Sequence, residues 1–248
     1  MINIKAPQDI IQMRKIGRVA SIIMKNLVGF TRGGISTKDI ENKANQLMER
    51  FNIKSAFLGY KGFPASLCVS LNEELIHGIP SKDKVVESGD LVSIDLGLYN
   101  GRFYTDTAYS FCVGRPKGIV KDLLRVGRSA LSQAIKTVKP AVTLGDISWT
   151  IQNIVESKGF CVVKKFVGHG IGEELHEEPE VPNFGSRGEG VKLQEGMVLA
   201  IEPMVTVDSS DVEILSDGWT VISQDRKSCV HFEHTVAVTN KGCRILTN

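Results

Sequence analysis

The sequence is short of the features that mark many specialised proteins. No apolar run approaches the roughly 20 residues that a membrane-spanning helix needs, and the N-terminal MINIKAPQDI has no apolar core of a secretory signal. The expectation is a cytoplasmic protein with no membrane association. Charge is nearly balanced, at +2 over 248 residues, which argues against a dedicated nucleic-acid or anionic-membrane surface. Cysteine is sparse. Cys68, Cys112, Cys161, Cys229 and Cys243 are scattered, odd in number and never spaced as CxxC. Neither a thiolate zinc site nor a disulfide framework is indicated, and a reducing compartment fits. Low-complexity tracts and obvious linkers are missing too. Histidine is equally scarce, with five in all, so the places where it does occur carry weight.

What is present is an ordinary globular composition, 42% hydrophobic and 23% charged, long enough for one large domain with a full core. Residues from about Gln8 to Phe30 set Ile10, Ile11, Met13, Ile16, Ala20, Ile23, Met24 and Leu27 at helical spacing. Gly33-Gly34 breaks this run. Thr37 is placed to cap a second helix with Ile40, Ala44, Leu47, Met48 and Phe51 on one face. A second helix pair follows, Ile119 to Val138 and then Asp146 to Lys158, the latter capped by Thr143 and ended by Gly159. After each pair come mostly strand-like segments containing a glycine-flanked histidine. This order predicts a single α+β domain over 1–248, built from two similar halves at about 8–113 and 117–239 that face each other across a site.

Four stretches carry the chemistry. KFVGHGIGEELHEEPEV, from Lys165 to Val181, holds His169 among glycines and His176 before Glu-Glu-Pro. Glycines there permit close backbone approach or positive φ. LVSIDLGLYNGRFYTDTAYSFCV, from Leu91 to Val113, reads as a hairpin closed by Asn100-Gly101. With that two-residue loop Tyr99 faces Arg102, and Asp95 falls opposite Asp106 with Cβ atoms about 5 Å apart. Two acids so placed on a largely apolar strand pair repel each other, and a bound cation would reverse the local electrostatics. Glu202 ends the apolar run Met197 to Ile201, where an unpaired carboxylate is costly; Pro203 predicts an interruption or an edge there. Along Val230 to Thr239, strand alternation puts His231, Glu233, Thr235 and Ala237 on the face opposite Phe232, His234, Val236 and Val238. Together Asp95, Asp106, His169, Glu202 and Glu233 make an oxygen-rich set with one imidazole. Such a set suits two divalent ions of the Mn, Co, Fe or Zn kind, about 3.5–4 Å apart, and hydrolytic chemistry.

These motifs, NEELIHGIP with His77 included, resemble type I methionine aminopeptidases of the pita-bread fold over essentially the whole chain. The resemblance implies two pseudo-symmetric halves, each an antiparallel sheet backed by helices, with a dimetal site between them. It implies Asp95, Asp106, His169, Glu202 and Glu233 as metal ligands, Asp106 and Glu233 bridging, and Glu202 as proton shuttle for a metal-held hydroxide that attacks the first peptide bond. It implies His77 and His176 as substrate contacts that steady the tetrahedral intermediate, a role that suits donors aimed at developing charge. Tyr60, Phe63, Cys68 and Trp219 match positions around the methionine side chain, where aromatic groups favour a thioether.

The implied substrate is the N-terminus of a nascent polypeptide with a small second residue. Transient ribosome contact and a monomer are the accompanying expectations, and the short form is that of bacteria or organelles. Ile76 stands where the family often has cysteine, and Leu175 where an aromatic is common; both bear on substrate preference and inhibitor response. The competing readings are a proline-specific peptidase of the same fold, which usually carries a further N-terminal domain, and a binding protein that has lost its metals.

Overall fold

A computed structural model describes residues 2–248. Four helices lie in two pairs, α1 (Pro7–Phe30) with α2 (Thr37–Arg50), and α3 (Gly118–Thr137) with α4 (Leu144–Glu156). Their positions follow the apolar spacing of the sequence. In α1 the stripe Met13, Ile16, Ala20, Ile23 and Leu27 is buried, whereas Ile11 is exposed. Each of the larger buried side chains contributes roughly 1.5–3 kcal/mol. Ser36, not Thr37, caps α2. Its hydroxyl accepts from the Asp39 N–H, and the Asp39 carboxylate accepts from the Ser36 N–H at 2.9 Å. Thr37 is the first helical residue and turns instead to the Ser81 carbonyl. Thr143 and Asp146 repeat the same reciprocal cap at the start of α4.

The strands in chain order are β1 (Lys54–Ser55), β2 (Cys68–Leu71), β3 (Glu74–Ile76), β4 (Leu91–Asp95), β5 (Leu98–Tyr99), β6 (Tyr104–Thr105), β7 (Ala108–Cys112), β8 (Cys161–Val162), β9 (Gly168–Gly170), β10 (Glu177–Val181), β11 (Val198–Ile201), β12 (Met204–Thr206), β13 (Val212–Ile214), β14 (Val221–Ser223), β15 (Cys229–His231), β16 (His234–Thr239) and β17 (Gly242–Ile245). Pairing is antiparallel throughout, in sheets ordered β1-β5-β6, β2-β4-β7, β13-β14-β3, β15-β12-β8 and β10-β9-β11-β16-β17. The α+β class is as the sequence predicts. One apolar core joins α1 and α2 to the N-terminal strands, and a second joins α3 and α4 mainly to the C-terminal ones.

The hairpin register differs from the sequence reading. Leu98 pairs with Thr105, Tyr99 with Tyr104, and Asp95 with Ala108 rather than Asp106. The loop therefore has four residues, Asn100 to Phe103. Its physical reason is the Asn100 side chain, whose oxygen accepts from the Arg102 and Phe103 N–H groups at 3.0 and 2.9 Å. Phe103 itself turns inward and is buried. The predicted single strand Val230–Thr239 is also broken, into β15 and β16, and β17 adds a strand that the sequence reading did not include.

Candidate metal centre and adjoining pocket

Interruptions in the strands set the site. The chain leaves one sheet and joins another at Leu96-Gly97, at Asp106-Thr107, at Glu202-Pro203 and at Phe232-Glu233. Those breaks are bonded to one another. The Leu96 N–H donates to the Thr107 carbonyl at 3.0 Å and the Glu233 N–H to the Ala108 carbonyl at 2.9 Å. The Asp106 N–H donates to Thr235 Oγ1 at 2.9 Å, whose hydroxyl returns a bond to the Asp106 carbonyl at 2.8 Å. Thr107 Oγ1 donates to the Glu233 carbonyl at 2.9 Å. The N-terminal and C-terminal hairpins are thus clasped where their acids emerge.

His169 arrives on β9 through close packing. A Cβ at Gly168 would stand 2.4 Å from the Ala200 carbonyl oxygen, and one at Gly170 only 2.3 Å from that of Glu178. These glycines let β9 lie between β10 and β11, so close approach and not positive φ is their use. His77 follows β3 with φ +58°, a left-handed conformation costly for a residue with a side chain.

All eleven residues singled out in the sequence line one cavity of about 300 Å³: Tyr60, Phe63, Cys68, His77, Asp95, Asp106, His169, His176, Glu202, Trp219 and Glu233. Asp106, His169 and Glu233 each offer a ligand atom within 4.8 Å of the others. Glu202 adjoins them, with Oε1 3.6 Å from His169 Nε2. Asp95 meets Asp106 side chain to side chain. So the two aspartates do come together, by way of the strand break and not by facing each other across a ladder.

Burial dominates the electrostatics. It raises Asp106 and Glu202 to about 7, with Glu202 adding to the rise at Asp106. Asp95 and Glu233 are raised well above the ordinary carboxylate range by burial and then by the neighbouring acids. Four such carboxyls around one imidazole are an expensive arrangement without a cation. Other details fit one. Asp95 Oδ1 is buried with no hydrogen-bond partner among the described residues. His169 Nδ1 lies 2.8 Å from the Gly170 carbonyl, so an N–H there leaves the Nε2 lone pair facing the acids, the usual orientation of a metal-binding histidine. The donor set is hard, with one nitrogen, and suits divalent Mn, Co, Fe or Zn better than Ca.

Beside the acids the wall turns apolar. Phe63 and Trp219 pack edge to face at 5.1 Å, and His77 meets the edges of Phe166 and Trp219 at 5.9 and 6.3 Å. His176 stacks on Tyr60 at 5.3 Å, and its Nδ1 lies 2.9 Å from the Tyr60 hydroxyl. Burial lowers His77 to about 4; burial and then the neighbouring His169 lower His176 to about 3. Both rings are neutral at pH 7. Ile76 and Leu175 contribute to the wall, as does Phe57.

Phe57, Lys61 and His231 line the cavity but escaped the sequence reading, and of these His231 meets the acids, with Nε2 3.3 Å from Glu202 Oε2. The only signal for His231 was alternation: it lies two residues before Glu233, on the same face. The alternation survives the strand break, since Phe232 and His234 line cavities elsewhere.

Comparison with known proteins bears on this geometry. The family model for metallopeptidase family M24 matches residues 11–240. Methionine aminopeptidase 1 of Bacillus subtilis is 42% identical over 247 residues, covering 100% of this chain and 99% of the relative. The methionine aminopeptidase of Escherichia coli is 40% identical, covering 99% of this chain and 94% of the relative. Among solved structures, the methionine aminopeptidase of Thermotoga maritima superposes with a TM-score of 0.98 at 43% identity, over the whole of both chains.

Proposed function

The chain belongs to metallopeptidase family M24, and on that footing we propose that its cavity removes the N-terminal methionine of newly made proteins whose second residue is small. It is a metallo-aminopeptidase, a hydrolase dependent on divalent metal. One observation carries the reading of the site: a buried acid-and-imidazole cluster and an aromatic wall share a single cavity of about 300 Å³. The first supplies hydrolytic chemistry, the second a place for an unbranched thioether.

We read Asp95, Asp106, His169, Glu202 and Glu233 as the residues that would hold two ions. The chemistry supplied by ions held there is activation of water near neutral pH and polarisation of the scissile carbonyl. The protein's own groups do the rest. Tyr60, Phe63, Cys68 and Trp219 receive the methionine side chain. Glu202, 3.6 Å from His169 at the edge of the acid cluster, takes the proton of the attacking water and returns it to the leaving amine. With the Tyr60 hydroxyl donating to Nδ1, His176 carries its proton on Nε2 and can donate to the oxyanion; neutral His77 is the second donor. A small second residue is expected because its side chain must lie beside the acids that hold the ions.

The test is release of free methionine from a Met-Gly-type tripeptide and a matched Met-Leu peptide, after chelation and after return of Mn²⁺, Co²⁺, Fe²⁺ or Zn²⁺. Metal-dependent release from the first peptide only is the expected result. No release with any metal refutes the reading, and cleavage of Xaa-Pro peptides instead would favour the proline-specific alternative. Metal-to-protein ratios by elemental analysis test the number of ions.

No helix among the described residues is long and apolar enough to cross a membrane. We further propose a single catalytic domain acting as a monomer in the cytoplasm on nascent chains, with transient ribosome contact. Failure to co-sediment with ribosomes at low salt would remove the last element.

A further inference from the structure

His231 is held more firmly than a surface histidine and is satisfied less well than a core one. Its backbone is fixed on β15 by pairing with Met204 and by Ser110, which accepts from the His231 N–H at 2.9 Å and donates to its carbonyl at 2.8 Å. Ser110 is itself joined to Ser93 at 2.6 Å inside the sheet. The residue is only 2% exposed. Yet neither ring nitrogen has a hydrogen-bond partner among the described residues. Nε2 stands 3.3 Å from Glu202 Oε2, within reach but without the alignment of a bond. Glu202 is therefore divided between two imidazoles. Oε1 faces His169 and through it the cluster with Asp106 and Glu233, while Oε2 faces His231.

An imidazole offers an N–H on one ring nitrogen in either tautomer. A buried donor left unpaired is costly, and a slight rotation of the Glu202 carboxylate supplies its partner. We propose that His231 is a positioning residue for Glu202: its Nε2–H donates to Oε2 and so presents Oε1 to Asp106, His169 and Glu233. The inference rests on the reading of Glu202 as metal ligand and proton carrier. Metal-binding carboxylates are commonly steadied by such a donor, and one anchored on a rigid strand fixes the acceptor more closely than one on a loop.

The experiment compares the natural protein with His231→Leu, which keeps bulk and loses the donor, and with His231→Gln, whose amide N–H can reach Glu202. Three readouts are taken: kcat and KM on the Met-Gly tripeptide, Co²⁺ affinity of the chelated protein by calorimetry, and the visible absorption of the Co²⁺-loaded protein. His231→Leu should lose about 10–100-fold in Co²⁺ affinity and in kcat, with KM moving no more than about threefold. His231→Gln should recover most of both. The Co²⁺ absorption bands should keep their positions in all three proteins, because His231 binds the carboxylate and not the ion. Unchanged kcat and affinity in His231→Leu would overturn the proposal, as would a Gln variant as impaired as the Leu one. Bands shifted in both variants would overturn it too, by showing the imidazole bound to the metal. If His231→Leu does not fold, His231→Asn, with its amide too short to reach, takes its place under the same expectations. A natural protein inactive with every metal would refute the proposed function, while the affinity and spectral readouts would still decide the role of His231.

Discussion

Chelation should leave this protein weakened by its own acids, and the weakening should depend on pH in a defined direction. Asp95 and Glu233 stay protonated well above the ordinary carboxylate range, and Asp106 and Glu202 titrate near 7. In the unfolded chain all four ionise near pH 4. Over the interval between, the folded state binds more protons than the unfolded one, so stability falls as pH rises through it. The histidines act oppositely. His77, His176, His231 and His234 are lowered to between about 3 and 4 by burial, so folding becomes more favourable as pH rises toward their unfolded value near 6.5. Between about pH 6.5 and 8 the unfolded histidines shed their remaining charge and the unfolded thiols begin to ionise, but both effects are common to the chelated and the metal-loaded protein and cancel in the difference between them.

A carboxyl that titrates near 7 in the folded state removes roughly 0.8 kcal/mol of stability over that window. Asp106 and Glu202 together remove about 1.5 kcal/mol, from a total of about 5–15, and Asp95 and Glu233, raised well above the ordinary range, act in the same direction. For a chain of this length a loss of about 1.5 kcal/mol is a fall in Tm of roughly 3–6 °C relative to the metal-loaded protein. The assay is calorimetry of chelated and Mn²⁺-reloaded protein at both pH values. The Tm of the chelated sample should fall relative to that of the reloaded sample between about pH 6.5 and 8, since metal binding requires the ionised acids. A Tm gap between the two samples that is the same at both pH values would refute the argument, as would one that narrows toward the higher pH.

Other substitutions probe single contacts. Tyr60→Phe removes the hydroxyl that holds His176 Nδ1 at 2.9 Å; kcat should fall about tenfold with little change in KM, as steady-state kinetics would read. Lys5→Met strands the buried carboxylate of Glu177, which also accepts the Glu173 and Glu174 N–H groups ahead of His176. Urea unfolding should show a loss of about 3 kcal/mol, and the double variant with Glu177→Gln should lose less. Gly170→Ala drives a Cβ to within 2.3 Å of the Glu178 carbonyl, displacing β9 and His169. Zn²⁺ affinity should drop more than tenfold, and an unchanged titration would mean that β10 yields freely.

The helices were legible because their apolar stripes repeat at helical spacing and are mostly buried as spaced, with Ile11 and Phe51 the exposed exceptions. Register was not, because Asn-Gly signals a tight loop only when the asparagine side chain does not take over the turn. Here Asn100 accepts two N–H bonds and lengthens the loop to four residues. The cap at α2 was misassigned by one residue because Ser36 and Thr37 both have hydroxyls, and only the reciprocal bond with Asp39 decides between them. The acids were legible as a set of misfits, carboxylates at the ends of apolar runs, and the resemblance grouped them. His231 was not legible, since a histidine beside an acid on a last strand carries no mark of what it faces.

The common property of the acids is their place at the seams between sheets. Asp95 ends β4, Asp106 lies between β6 and β7, Glu202 between β11 and β12, and Glu233 between β15 and β16. Within a ladder, alternate side chains are committed to one face or the other, so a carboxylate there meets either solvent or an apolar core. At a seam the chain leaves one sheet before joining the next, and its side chain is free to enter the space between them. The backbone groups released by the interruption must then find new partners. They find one another, Leu96 with Thr107, Asp106 with Thr235, Glu233 with Ala108. The same breaks that admit the acids therefore tie the two hairpins together. A site held this way cannot relax by moving one strand, which is why four repelling carboxylates stay in register and why a cation is the economical way to relieve them.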